Sequence, residues 1–327
     1  MKNKRVLNKW TGGTVLAGIS LISLSAFAQD AESLDNGGVG TPAPQDQEQS
    51  ADKSARLPMK VSVSGSHQFD SDIDNSGGQS FSISRFGVSL GVPIRFHEDF
   101  LLGTTVRYGL DSYDFSGGGS SPWENINTFS AASILQFRSS ANLSYYGGGF
   151  VKSSAESGAD MGDSFTGGGL FGVSYKVSDT FTIGGGLAVV SQLEDDANIL
   201  PILTARWQFA DQWRLNLGLT DVATVGYGAD VKWQISPEWD FAFGVQFHKS
   251  RFRIDGTGAS KNGVGEERAA TLFADATWHP SPKVDLTGFV GIAAGGQLRL
   301  EDSSGHKLDD SNYDSAAILG LKASFRF

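Results

Sequence analysis

Residues 213–220 read Trp-Arg-Leu-Asn-Leu-Gly-Leu-Thr. In an extended chain Trp213, Leu215, Leu217 and Leu219 share one face, and Arg214, Asn216, Gly218 and Thr220 share the other, because successive side chains of a strand point to opposite sides. The next stretch repeats the pattern. Val225, Tyr227, Ala229, Val231, Trp233 and Ile235 oppose Gly226, Gly228, Asp230, Lys232 and Gln234. A third run sets Trp239, Phe241, Phe243, Val245 and Phe247 against Asp240, Ala242, Gly244, Gln246 and His248. Strands of a soluble sandwich average about 5–6 residues. The second and third runs reach the roughly 9–11 residues that a tilted strand needs to cross a bilayer.

Outward from this core the alternation continues in both directions. Strands are expected near 59–69, 80–94, 100–112, 126–138, 141–152, 165–177, 180–191, 198–209, 212–221, 224–235, 238–250, 267–278, 283–297 and 315–327. That series predicts an all-β fold, a transmembrane antiparallel up-and-down barrel of about fourteen strands, with twelve and sixteen the neighbouring even counts. Connections fall into two alternating kinds. Tight ones lie at 97–99, 139–140, 178–179, 211, 236–237 and 280–282; longer ones, rich in Gly, Ser and Asp, lie at 70–79, 113–125, 153–164, 192–197, 251–266 and 298–314, with a tight one near Val222. Short periplasmic turns and long outer loops are the arrangement of outer-membrane barrels. Trp207, Trp213, Trp233, Trp239 and Trp278 all sit on the apolar face beside tight turns, which predicts an aromatic girdle at the periplasmic interface. Trp10 falls in the leader, and Trp123 is placed in an outer loop.

The N-terminus reads as a targeting segment. Lys2, Lys4, Arg5 and Lys9 precede an apolar stretch from Val15 to Leu24, and Ala26-Phe27-Ala28 has the small-x-small form of a signal-peptidase site. Residues 1–28 are therefore expected to be a signal peptide cleaved after Ala28, residues 29–57 a disordered periplasmic linker, and residues 58–327 the barrel. The alternative for 29–57 is a segment that enters the lumen. Cysteine is absent, which removes disulfides, thiolate metal sites and cysteine nucleophiles. The formal charge of −10 argues against a nucleic-acid partner, since phosphate contacts need a basic surface.

The last strand carries the most specific signal. Ala317, Leu319, Leu321, Ala323, Phe325 and Phe327 oppose Gly320, Lys322, Ser324 and Arg326, and the sequence ends on Phe327. This resembles the C-terminal signature of Gram-negative outer-membrane proteins. The resemblance implies a location in the cell outer membrane, contact with its lipid and lipopolysaccharide, and Phe327 as an assembly signal read by the barrel-assembly machinery. Ser191-Gln192-Leu193-Glu194-Asp195-Asp196, Leu200-Pro201-Ile202-Leu203 and Arg251-Phe252-Arg253 are also similar to a family of uncharacterised outer-membrane barrels, which implies no particular activity.

Charged groups are costly against lipid, so those of the polar face are expected to line the lumen. They are Arg85, Arg107, Asp111, Arg138, Lys176, Arg206, Arg214, Asp230, Lys232, Asp240, Asp275, Asp285, Lys322 and Arg326. Rows of both signs across a pore resemble general porins and imply passage of small hydrophilic solutes. The alternatives are a filled, salt-bridged lumen and a non-conducting structural or surface-interaction barrel. Gly147–Gly149, Gly167–Gly169 and Gly184–Gly186 fall on consecutive strands, where bare backbone either accommodates an inserted group or permits strong curvature. His248-x-Ser250 resembles the dyad of outer-membrane phospholipases but lacks a nearby Asn and lies on the polar face, so no enzymatic activity is expected. Asp70, Asp72 and Asp74 have the first spacings of a calcium loop, but Phe81 stands where the bidentate Glu belongs. They are a weak candidate only, and no resident metal or cofactor is expected. Oligomeric state is not legible in the sequence.

Overall fold

The computed structural model describes residues 57–118, 121–222, 225–257 and 260–327. The expected signal peptide, and the linker up to residue 56, lie outside the described residues. The strands are β1 Lys60–Asp72, β2 Ser80–His97, β3 Phe100–Ser116, β4 Asn125–Arg138, β5 Leu143–Glu156, β6 Phe165–Ser178, β7 Phe181–Gln192, β8 Asp195–Ala210, β9 Trp213–Asp221, β10 Val225–Ser236, β11 Trp239–Arg253, β12 Val264–Ser281, β13 Val284–Glu301, β14 Lys307–Tyr313 and β15 Ala316–Arg326. Each pairs antiparallel with its neighbour in sequence up to β13. β15 then pairs with both β13 and β1, which closes the barrel.

Fifteen strand segments occupy fourteen positions. β13 pairs with β15 as far as Ala293–Ala316 and with β14 from Gly296–Tyr313 upward, so β14 and β15 are one broken strand. The break lies opposite a bulge in β13 where Gly295 has φ +60°, a conformation glycine adopts without a Cβ penalty. The Tyr313 ring lies over Gly296, where any Cβ would collide with it. The ladder is still continuous at this point, because Ile73 bridges Tyr313 and the Asp314 N–H reaches the Asp72 carbonyl.

The strand count and up-and-down order agree with the periodicity, and all six long connections are shorter than expected, three of them as follows. Residues 195–197 belong to β8, leaving a tight turn at Leu193-Glu194 in which Glu194 takes φ +50°. Residues 298–301 and 307–313 form a hairpin in place of a long loop, and 251–253 with 264–266 extend another. Alternation fades at 251–253 and 264–266 because these strand ends are covered on both faces, and at 195–197 and 307–309 because they are exposed on both.

The apolar face looks outward. Phe171, Leu187, Ile199, Phe243, Val290 and Leu321 are all more than half exposed, a surface that water would not tolerate and lipid would. At the tight-turn end the rings stack into a continuous arc. Trp213 and Trp233 stack with centroids 5.2 Å apart and planes nearly parallel at 3°, and Trp239 stacks on Trp278 at 6.2 Å. Phe181, Trp207, Phe209 and Phe241 fill the intervals. All five tryptophans named from the sequence stand in this arc.

Candidate functional site: the lumen and its outer closure

The lumen has three levels. The level nearest the tight turns is a cavity of about 580 Å³. Arg138, Lys176, Arg206, Arg214, Asp230, Lys232, Asp275, Asp285, Lys322 and Arg326 line it, together with Lys60, Asp221 and His279. Cations outnumber carboxylates on this surface. Asp240, buried beside it, accepts from Lys232 at 2.8 Å and sits 3.0 Å from His279 Nε2; Asp285 binds Arg326 at 2.7 Å and His279 Nδ1 at 2.8 Å. One wall is apolar. Ile134, Leu170, Ala188 and Ile202 cluster with Tyr146, Phe150, Val190, Leu200 and Leu219.

The glycine triplets build that wall. A Cβ on Gly148, Gly168 or Gly186 would run into backbone of the adjoining strand, and the rings of Phe150 and Tyr146 lie over Gly168 and Gly172. The glycines permit tight curvature and seat neighbouring rings in place of their own side chains.

The middle level is a cavity of about 120 Å³ among Arg85, Arg107, Asp111, Lys152, His248 and Glu267. Glu267 is its hub. It accepts from Arg85 Nη2 at 3.2 Å and from the Tyr313 hydroxyl at 2.9 Å, and its carboxylate lies 2.9 Å from His248 Nε2. His248 thus faces a carboxylate in the lumen and not the lipid, unlike the dyad it resembles in sequence. Asp221, at the end of β9, reaches Arg107 at 3.1 Å and Lys322 at 2.8 Å.

The outer level is filled. Phe81, Tyr113, Trp123, Phe252 and Tyr313 form an apolar plug with Ile83, Ile126, Ile254 and Leu298. Phe81 packs edge-on to Tyr313 at 4.9 Å, and Trp123 edge-on to Phe252 at 5.2 Å. Trp123, assigned to an outer loop, is only 2% exposed because the β3–β4 connection turns back into the barrel mouth. The end of β11 crosses the mouth and bridges β5 at Arg253–Ala155. Two arginines fix this lid. Arg251 donates to the Leu193 carbonyl at 2.7 Å and to Glu266 at 3.0 Å, and also pairs with Glu301. Arg253 donates to Glu194 at 2.7 Å and to the Asp163 carbonyl at 2.9 Å. The Arg-Phe-Arg sequence therefore supplies a plug ring flanked by two rivets.

Thirteen of the fourteen charged residues named from the sequence border one of the two cavities, and the fourteenth, Asp240, is buried beside the larger one against Lys232 and His279. Sequence reasoning missed Lys152, Asp221, Glu267, Glu301 and the plug. Counting back in twos from Asp275 does place Glu267 inward, so alternation held that signal. Asp70, Asp72 and Asp74 do not gather. Among the described residues the one triad of metal-capable groups within reach of one another is His97, Glu98 and Asp99, on an exposed turn.

No family model matches the chain, and no curated protein matches it. Solved barrels are similar in shape. An outer-membrane channel from Pseudomonas putida F1 superposes with a TM-score of 0.45 at 11% identity, over 86% of this chain and 100% of that one. A Pseudomonas aeruginosa FadL homologue gives 0.46 at 12% identity, over 83% and 90%. The KdgM porin gives 0.34 at 9% identity, over 81% and 99%. The shared feature is the barrel, and the similarity goes no further.

Proposed function

We propose that the chain is an outer-membrane channel for small solutes, held shut at its outer mouth in this conformation. The observation that carries this reading is the cavity of about 580 Å³ inside a closed barrel. It is lined by charges of both signs, and it lies behind an outward-facing apolar band with an aromatic belt. Such a band fits lipid, and such a lining fits polar or charged solutes with a modest preference for anions. Orientation follows from the connections: tight turns with the girdle face the periplasm, and the plugged end faces outward. On this reading the expected leader delivers the chain for export, and the terminal strand is handed to the barrel-assembly machinery. Lipopolysaccharide surrounds the outer half.

The filled outer level favours a second reading, a non-conducting surface barrel. Planar-bilayer recording of the refolded protein separates the two. The channel reading expects discrete conductance steps, which enlarge when Trp123 and Phe252 are both replaced by alanine, because these rings fill the mouth. A silent bilayer for both proteins, each shown to be folded, contradicts it.

A further inference from the structure

The wall of the barrel is not sealed between β8 and β9. Their ladder holds five paired positions and stops at Ala205–Leu217. Every other neighbouring pair around the ring holds nine or more. Above the stop, residues 198–204 of β8 pair with β7 alone. Gly218 has φ +147°, the point at which β9 leaves the wall. The strand then swings into the lumen, where Asp221 is held by Arg107 and Lys322.

The open edge is chemically prepared. The Gln208 N–H points toward β7, to the Thr180 carbonyl, so by alternation the odd-numbered backbone groups of β8 face β9. At 201 that group belongs to proline, which has no N–H to leave unsatisfied in lipid. At 203 the carbonyl accepts from the Tyr227 hydroxyl of β10, which reaches across the gap. Outside the gap Ile199 and Leu203 are exposed at 69% and 58%. Inside it Leu200, Ile202 and Leu219 belong to the apolar wall. Leu217, Gly218 and Leu219 also border the large cavity.

The geometry points to this seam as a lateral portal, through which small molecules with an apolar body pass between the outer-membrane lipid and the lumen cavity. The inference rests on the channel reading and adds to it a route and a substrate class. A cavity of about 580 Å³ falls within the roughly 300–1,000 Å³ of small-molecule sites. The axial route from outside meets the plug, and the lateral route meets one tyrosine side chain and leucines.

The chain has no cysteine, so a pair can be placed at will. The test uses the full barrel folded in lipid nanodiscs and a small aryl diazirine dissolved in the lipid. After photolysis, mass spectrometry reads labelling of lumen residues Tyr146 and Leu170 against lipid-facing Phe171 and Leu187. In Leu203→Cys/Leu219→Cys, joining the thiols with a bifunctional maleimide should abolish lumen labelling and leave lipid-face labelling unchanged. Joining Ile183→Cys/Ala205→Cys, across the paired β7–β8 ladder, should change neither. Tyr227→Phe, which removes one hydroxyl, should speed lumen labelling. Lumen labelling that persists after the seam is joined overturns the portal, as does an unchanged rate in Tyr227→Phe. Bilayer conductance is read on the same proteins. Its absence with seam-dependent labelling intact counts against the channel alone, and conductance without that labelling counts against the portal alone.

Discussion

Glu267→Ala is expected to destabilise the folded barrel by about 3–5 kcal/mol, the cost of breaking a buried ion pair from one side. The Glu267 side chain is 1% exposed and answers Arg85, His248 and Tyr313 together. Removing it leaves the Arg85 guanidinium, 5% exposed, with Asp111 as its remaining carboxylate neighbour, and takes away the carboxylate acceptor of the Tyr313 hydroxyl. Tyr313 also joins β14 to β13 and to β1, so the loss reaches the closure of the barrel. Denaturant unfolding in lipid vesicles, followed by tryptophan fluorescence, measures this. Replacing both partners, Arg85→Met with Glu267→Leu, should recover most of the loss, since it removes the stranded charge as well as the pair. A Glu267→Ala cost below about 1 kcal/mol, the range of exposed pairs, would show that the middle level is solvated and loosely held.

Deleting Phe327 is expected to remove most of the membrane-inserted protein while synthesis stays constant. Among the described residues, the last strand partners β1 on the side away from β2, paired from Lys60–Arg326 to Gln68–Ile318. The Phe327 N–H adds a bond to the Met59 carbonyl, and its ring is 69% exposed on the lipid face. An unpaired edge in lipid leaves each backbone group unsatisfied at several kcal/mol. On the proposed reading, assembly depends on the register of this strand. The heat-modifiable folded band on a gel should fade for the deletion and for Phe327→Asp. Truncating residues 29–57 should leave it nearly intact. A deletion that inserts as well as the parent would remove the terminus from the assembly account.

The face assignments were legible in the sequence because membrane strands obey one rule along their whole length. From Trp239 to His248 every second residue meets the same side, and a tryptophan beside a tight turn reports the interface directly; the rule breaks in β9, where Leu217 and Leu219, expected on the lipid face, border the cavity beyond the Gly218 hinge. The closure was not legible. Trp123 stands in a glycine-rich connection with no periodicity, and its burial depends on Tyr113 and Phe252 from strands distant in sequence. Gly295 looks like any strand glycine until its partner changes. Arg251 and Glu266 sit on the face that alternation assigns to lipid, and they are tolerated there because the hairpin leaves the wall and the two pair with each other. Gly218 and Gln246 have the alternation of ordinary lumen positions. The structure makes one a positive-φ hinge and buries the other fully against the Thr220 carbonyl. Alternation reports which side a residue faces, and distant contacts decide how crowded that side is.

The central claim is that one face of each strand meets lipid and the other meets a lumen. It is tested most directly by placing the same charge on both faces at matched depth. Phe243 lies four residues above Trp239, 55% exposed on the outer face, and Ser174 lies four residues from Ser178 and lines the large cavity. In vesicle unfolding titrations Phe243→Arg should cost about 2–4 kcal/mol, the depth-dependent penalty for arginine against hydrocarbon. Ser174→Arg should cost well under half of that. Equal costs at the two positions, or a larger cost at Ser174, would contradict the assignment of lipid and lumen faces on which the channel rests.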